Sequence, residues 1–270
     1  ALPAEVAAEA DRHAVAGGST MQHDGAADRR ERSRTDQQHR RQRPLGDAEA
    51  LRVWLNRIYE RGYVAVDTET TGLDEMRADL VGICLATDPG QACYVPLTHK
   101  NSEGDGLFAD ETLAEGQMPE AEALALLKPV LEDPSILKIG QNMKYDAKIL
   151  KRYGITVAPI DDTMLMSYAL NAGLHQHGMD ALSDRYLDHQ PIPIKDLLGS
   201  GKSMITFDKV PLDKATAYAA EDADITLRLW KVLKPQLHAK KVTTVYETLE
   251  RPLSPVLAQM EMHGIKVDRD

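Results

Sequence analysis

The sequence predicts an α/β protein: a mixed central sheet flanked by helices, preceded by a segment that does not fold. Three observations carry this. The apolar run Tyr63 to Asp67 follows a helix-spaced segment and needs cover on both faces. Two further apolar runs, Leu80 to Ala86 and Ala92 to Leu97, flank the turn residues Asp88-Pro89-Gly90. From there helix and strand patterns alternate, and beyond Asp162 the pattern is almost wholly helical.

Taken in order, residues 47 to 61 carry Leu51, Trp54, Leu55 and Ile58 at helical spacing, and Tyr63 to Asp67 reads as a buried strand entering a polar, glycine-containing turn. Leu80 to Ala86 and Ala92 to Leu97 form a hairpin. Ala121 to Leu131 is an amphipathic helix, Ile136 to Gly140 a fourth strand, and Asn142 to Tyr153 a helix. Helices follow over Thr163 to Leu170, Met179 to Leu187, Asp213 to Leu237 and Val245 to His263, with a Lys/Gly-rich loop near 195 to 209. Ligands on such sheets sit at the carboxyl ends of the central strands, where Asp67 falls.

Composition narrows the function. With 270 residues, 43% hydrophobic and 27% charged, the chain has the makings of a real core, and no apolar run approaches the roughly 18 residues of a membrane-spanning helix. The two cysteines, Cys84 and Cys93, cannot build a disulfide framework or a cysteine-rich zinc site, and no signal-peptide pattern opens the chain. A reducing, cytoplasmic compartment is expected. Forty-two acidic against 32 basic side chains give a net charge of −10, which disfavours gripping duplex nucleic acid mainly by phosphate neutralisation but leaves room for an acidic active site. Residues 1 to 44 have no Lys, Phe, Trp or Tyr and eight Arg, too little apolar area to offset chain entropy. They read as a disordered linker or non-native segment, taken to end at residue 46, and the Ala at position 1 suggests a fragment. The arginines from Arg29 to Arg34 are interleaved with acids and read as a solvated charge run.

Three motifs carry chemistry. In Asp67-Thr68-Glu69-Thr70-Thr71-Gly72-Leu73 the acids two apart share one strand face, a repulsive and desolvated pair that a hard divalent cation would reconcile; a polar strand end is the plainer alternative. In Gly140-Gln141-Asn142-Met143-Lys144-Tyr145-Asp146 a helix starting near Asn142 places Asp146 one turn in, able to swing toward the neighbouring strand end. In Tyr218-Ala219-Ala220-Glu221-Asp222-Ala223-Asp224 the phenol of Tyr218 and the carboxylate of Asp222 share a helix face, Glu221 and Asp224 turn elsewhere, and the alanines permit close approach to another element.

In that order the three motifs resemble the 3'-5' exonuclease superfamily with four acidic metal ligands, in its tyrosine-bearing branch, and more narrowly the proofreading domain of bacterial family A DNA polymerases. The resemblance extends over Asp162-Thr163-Met164-Leu165-Met166-Ser167-Tyr168, His177-Gly178-Met179-Asp180-Ala181-Leu182, Ile205-Thr206-Phe207 and Glu250-Arg251-Pro252-Leu253. It implies a ribonuclease H-like sheet and an exonuclease domain over 47–240, with 241–270 the helical start of a truncated polymerase domain. It implies Asp67, Glu69, Asp146 and Asp222 as ligands of two divalent cations, Mg²⁺ or Mn²⁺, about 4 Å apart, with Tyr218 orienting the attacking water. Leu73 would wedge against the terminal base and Asn142 touch the terminal nucleotide, a core leucine and a polar helix cap being the alternatives. The implied substrate is a single-stranded or frayed DNA 3' end, cut to 5'-mononucleotides. The implied setting is a bacterial cytoplasmic, nucleoid-associated monomer joined to a polymerase domain. Thr70-Thr71-Gly72-Leu73 is closer to separate proofreading subunits, but those carry His where this chain has Tyr218. Rival readings are an RNA-trimming exonuclease of the same branch and a non-catalytic scaffold, against which stand the segment after Glu250 and the retained carboxylates respectively. Of the remaining tempting residues, Asp161-Asp162 read as a helix N-cap, His175 and His177 as loop residues, and Lys195, Lys202 and Lys209 as a loop that is either solvated or turned to single-stranded DNA.

Overall fold

The computed structural model describes residues 44–101 and 112–268, with the side chain of Lys202 excepted. The expectation for residues 1 to 46, the Arg29 to Arg34 run included, lies outside the described residues up to position 43. The helix α1 (Ala48–Arg61) begins where Asp47 accepts the Ala50 N–H at 2.8 Å and ends where Gly62, at φ 71°, donates back to Ile58. Its Leu51, Leu55 and Ile58 are buried on the sheet, as their spacing requires.

Strands β1 (Tyr63–Thr70), β2 (Leu80–Asp88), β3 (Gln91–Pro96), β4 (Leu137–Gly140) and β5 (Ile160–Asp162) make one sheet in the order β3-β2-β1-β4-β5. β1 pairs antiparallel with β2 and parallel with β4, which pairs parallel with β5. One expectation is corrected. The sheet has a fifth strand, because backbone pairing with β4 extends Ile160-Asp161-Asp162 although two of its three residues are acids. And β1 runs on through Thr70, past the apolar run that ends at Asp67, so both acids of the first motif lie inside the strand as their shared face requires. The Lys/Gly loop also contains a short helix, α6 (Ile194–Leu198), and two 3₁₀ turns at Gly201–Ser203 and Phe207–Lys209.

Alternation along β1 divides the core. Val64 and Val66 face a cluster with Leu51, Ile58, Leu127, Ile149 and Leu150, from α1, α2 (Glu120–Glu132) and α3 (Met143–Arg152). Ala65 faces the other way, against α7 (Leu212–Ala239), whose Ala215, Ala219, Ala220 and Ala223 are fully buried there. The small side chains let α7 lie close to the strands, as its sequence anticipated. A third cluster joins α4 (Thr163–Asn171) and α5 (Met179–Leu187) to the far half of α7 and to Tyr246.

The chain then passes through α8 (Thr243–Val245), one π turn (Tyr246–Glu250) and α9 (Arg251–His263). Asp161, fully buried on β5, fastens this end. It accepts from Trp230 Nε1 at 2.8 Å, the Tyr246 hydroxyl at 3.0 Å, Lys234 at 3.0 Å and Arg251 at 3.4 Å. Buried charge is tolerable only when paired this completely. Asp161 is thus an anchor for α9, not a companion of Asp162 at a helix cap.

Gly82 sits opposite Glu69 in the β1–β2 ladder, and a Cβ there would fall 2.2 Å from the hydroxyl of the fully buried Tyr94. Gly82→Ala should therefore overpack the core by about 1–3 kcal/mol, read as a fall of several degrees in melting temperature; an unchanged melting point would show that the Tyr94 ring moves freely.

Candidate active site

The two parities of β1 put the acids where α7 can reach them. Asp67 and Glu69 point to the same side of the sheet as Ala65, toward the helix that carries Tyr218 and Asp222. From the other side comes Asp146, one turn into α3, whose Oδ1 accepts the Thr68 N–H at 2.9 Å and the Thr68 hydroxyl at 2.6 Å. The single residue between the two acids thus ties the third carboxylate to the strand. Asp67, Glu69, Asp146, Tyr218 and Asp222 all line one cavity of about 780 Å³. Glu221 and Asp224 turn away, as expected: Glu221 accepts from His189 at 2.8 Å and from the Ile192 N–H at 2.6 Å, and Asp224 accepts from the Gly90 N–H at 2.6 Å.

Leu73 and Asn142 lie at the cavity's rim. Leu73 is 92% exposed, which removes the core-leucine alternative, and it lines the cavity together with Asn142. Asn142 occupies the N-cap position of α3, yet its side chain makes no cap bond. Lys195 also lines the cavity, whereas Lys209 does not. His175 and His177 pack ring to ring in a tilted arrangement with centroids 4.9 Å apart, His177 hydrogen-bonding Ser167 at 2.9 Å, outside the cavity wall.

Sequence reasoning missed several contributors. Thr70, Tyr145 and the Gly72 carbonyl meet in one triangle: Tyr145 lies 2.5 Å from the Thr70 hydroxyl and donates to Gly72 at 2.6 Å, so the turn that presents Leu73 is pinned to α3. Gln141, Ile194 and Met204 join the wall, and nothing in their spacing signals it. Cys84, directly across the ladder from Asp67, brings its Sγ within 4.8 Å of the ligand atoms of Asp67 and Glu69.

Electrostatics fit the geometry. Burial first, then repulsion from Asp222, holds Asp67 well above the usual carboxylate range, and burial with the charges of Asp67, Asp222 and Asp146 does the same to Glu69. Asp146 is raised by burial and Asp67, in spite of its Thr68 bonds. Asp222 is pushed up to about 8 by burial, with Tyr218 opposing. Burial and the neighbouring carboxylates, Asp222 foremost, drive the Tyr218 phenol up, so it stays protonated. Four desolvated hard oxygen donors that repel one another suit a hard divalent cation.

A mixed five-stranded sheet with carboxylates converging at the end of its central strand from two flanking helices defines a ribonuclease H-like exonuclease fold. Comparison with known proteins agrees. The family model described as 3'-5' exonuclease, of the DNA polymerase A type, matches residues 43–238, and the chain belongs to that family. DNA polymerase I of Rhizobium leguminosarum is 56% identical over 234 residues, covering 83% of this chain and 23% of that protein; the chain thus spans less than a quarter of that relative's length. Two solved structures share the fold at 22% identity. Pol1 from M. smegmatis in complex with DNA primer-template and dNTP has a TM-score of 0.60 over 84% of this chain and 33% of that one. Brucella melitensis NrnC with bound Mg²⁺ has a TM-score of 0.57 over 78% of this chain and 91% of that one. Among the described residues no helix is long and apolar enough to cross a membrane.

The raised carboxylates fix a pH dependence. In the unfolded chain these acids ionise near pH 4, while in the fold they resist ionisation up to about pH 8 at Asp222, so the folded state binds more protons across that window. Their contribution to the stability of the metal-free protein is therefore fully present below about pH 4 and is lost as pH rises toward 8. Melting temperatures between pH 5 and 8 should fall for the metal-free wild type and fall less for Asp222→Asn, with Mg²⁺ raising the melting point more at pH 8 than at pH 5. A flat profile would show that the carboxylates do not crowd.

Proposed function

We propose that this chain is the proofreading module of a DNA polymerase I, removing 5'-mononucleotides from single-stranded or frayed DNA 3' ends. The observation that carries the reading is the arrival of Asp67, Glu69, Asp146, Asp222 and Tyr218, from three separate elements, in the wall of one cavity with exposed Leu73 at its rim. Residues 47–240 form the exonuclease domain in this reading, and 241–270 begin the polymerase domain that accompanies it in the relatives. The Mg²⁺ of the NrnC structure supports a magnesium or manganese site here.

The residues divide the work. Asp67, Glu69, Asp146 and Asp222 would hold two divalent cations, which when bound would supply positive charge to the oxygens of the terminal phosphodiester. Tyr218 stays a neutral phenol beside Asp222 and orients the attacking water by hydrogen bonding. Leu73, held out on the turn that Tyr145 pins, wedges against the terminal base and keeps it unstacked. Asn142 binds the terminal nucleotide, and Lys195 offers its charge to the phosphates entering over the rim.

Release of mononucleotides from a 3'-end-labelled single strand tests the reading. It should require Mg²⁺ or Mn²⁺ and disappear in Asp222→Ala, while the fold persists. Faster turnover of a matched RNA strand than of DNA would favour the ribonuclease alternative, and no turnover of either would favour a scaffold. Tyr218→Phe should keep the metal-dependent rise in melting temperature but lower the rate by roughly 10²-fold, the lower range for losing a positioned proton-handling group; a wild-type rate would reduce Tyr218 to packing.

A further inference from the structure

Asn142 holds a left-handed backbone at φ 62° where α3 begins, and its amide takes no part in capping that helix. An Asn at an N-cap ordinarily satisfies the first free N–H groups with its own side chain. Here another residue does so. Asp162, at the end of β5, accepts the Met143 N–H on Oδ2 at 2.8 Å and the Asn142 N–H on Oδ1 at 3.3 Å. The same carboxylate caps its own helix α4, accepting from Met164 at 2.9 Å and Leu165 at 3.2 Å. Asp162 is 2% exposed, and its own N–H is held by the Tyr246 hydroxyl at 2.9 Å. One buried carboxylate therefore serves the N-termini of two helices. With four N–H groups on its oxygens and no place in the wall that holds the other acids, it is not a metal ligand.

We propose that Asp162 is a positioning residue for the nuclease: by capping α3 in place of Asn142 it fixes the left-handed backbone there and leaves the Asn142 amide to the terminal nucleotide. The proposal rests on the reading above that Asn142 contacts that nucleotide. Left-handed backbone costs an L residue energy, less for Asn than for most, and here the N–H groups on both sides of the Asn142 Cα are held by one carboxylate.

The test is a double-mutant cycle on the whole chain, with a 3'-labelled single-stranded DNA and Mg²⁺. Asn142→Gly removes the amide but accepts the left-handed backbone. Its KM should rise about tenfold, the equivalent of one polar contact made equally in ground and transition states, with kcat within about twofold of wild type. Asp162→Ser can still cap α4 through its hydroxyl but is too short to reach α3. It should raise KM comparably, leave kcat and the Mg²⁺-induced rise in melting temperature at wild-type values, and add nothing further in the Asn142→Gly background. Additive effects, a wild-type KM in folded Asp162→Ser, or a lost Mg²⁺ response would overturn the proposal. A wild-type KM in Asn142→Gly would overturn the underlying reading and the proposal with it, so the two failures are told apart. Should Asp162→Ser melt below the assay temperature, Asp162→Asn takes its place in the cycle. Its Oδ1 keeps the α4 bonds, while its Nδ2 confronts the Met143 N–H.

Discussion

Crowding of negative charge at the end of β1 is the constraint on which the rest of the structure turns. Burial alone disfavours each of Asp67, Glu69, Asp146 and Asp222 as an anion, and repulsion from neighbouring carboxylates adds to it. Such a cluster persists only when stronger interactions hold its backbone. The sheet supplies them: β1 is paired on both sides, α7 is drawn against it by a stripe of alanines, and Thr68 binds Asp146 through both its N–H and its hydroxyl. The apolar layers on either face are the scaffold against which repulsion is stored.

Much of this scaffold was legible because its elements are periodic and punctuated. Asp47 and Gly62 mark the ends of α1, Asp88-Pro89-Gly90 marks the hairpin, and the alanines of α7 announce a close contact. β5 was not legible: three residues carry no period, and the two acids among them contradict a buried strand until β4 is there to pair with them. The adjacent acids also separate only in three dimensions. Asp161 points to Trp230, Tyr246, Lys234 and Arg251, and Asp162 to four backbone N–H groups, although their sequence context is nearly the same.

The site was read from its motifs through a family resemblance, not from spacing alone, since each motif by itself has an ordinary alternative. The rim is different. Ile194 and Met204 reach the cavity because a short helix and a turn happen to face it, and no periodicity records such encounters. Lys144 and Lys148 on α3 are both paired with Glu261 on α9, and Lys148 also with Glu75 near the Leu73 turn. Their charge is neutralised locally, in keeping with a chain whose net charge is −10.

The anchoring of Asp161 has a mechanical corollary. Lys234 of α7 and Arg251 at the head of α9 meet on this one buried carboxylate, and both also pair with Glu247 of the π turn. Swinging α9 away would pull Arg251 from the buried Asp161 and from Glu247 together, so the junction acts as a stiff lever rather than a hinge. A torque applied to α9 would be passed through Asp161 into β5, and from there to the neighbouring strand whose end leads into Asn142.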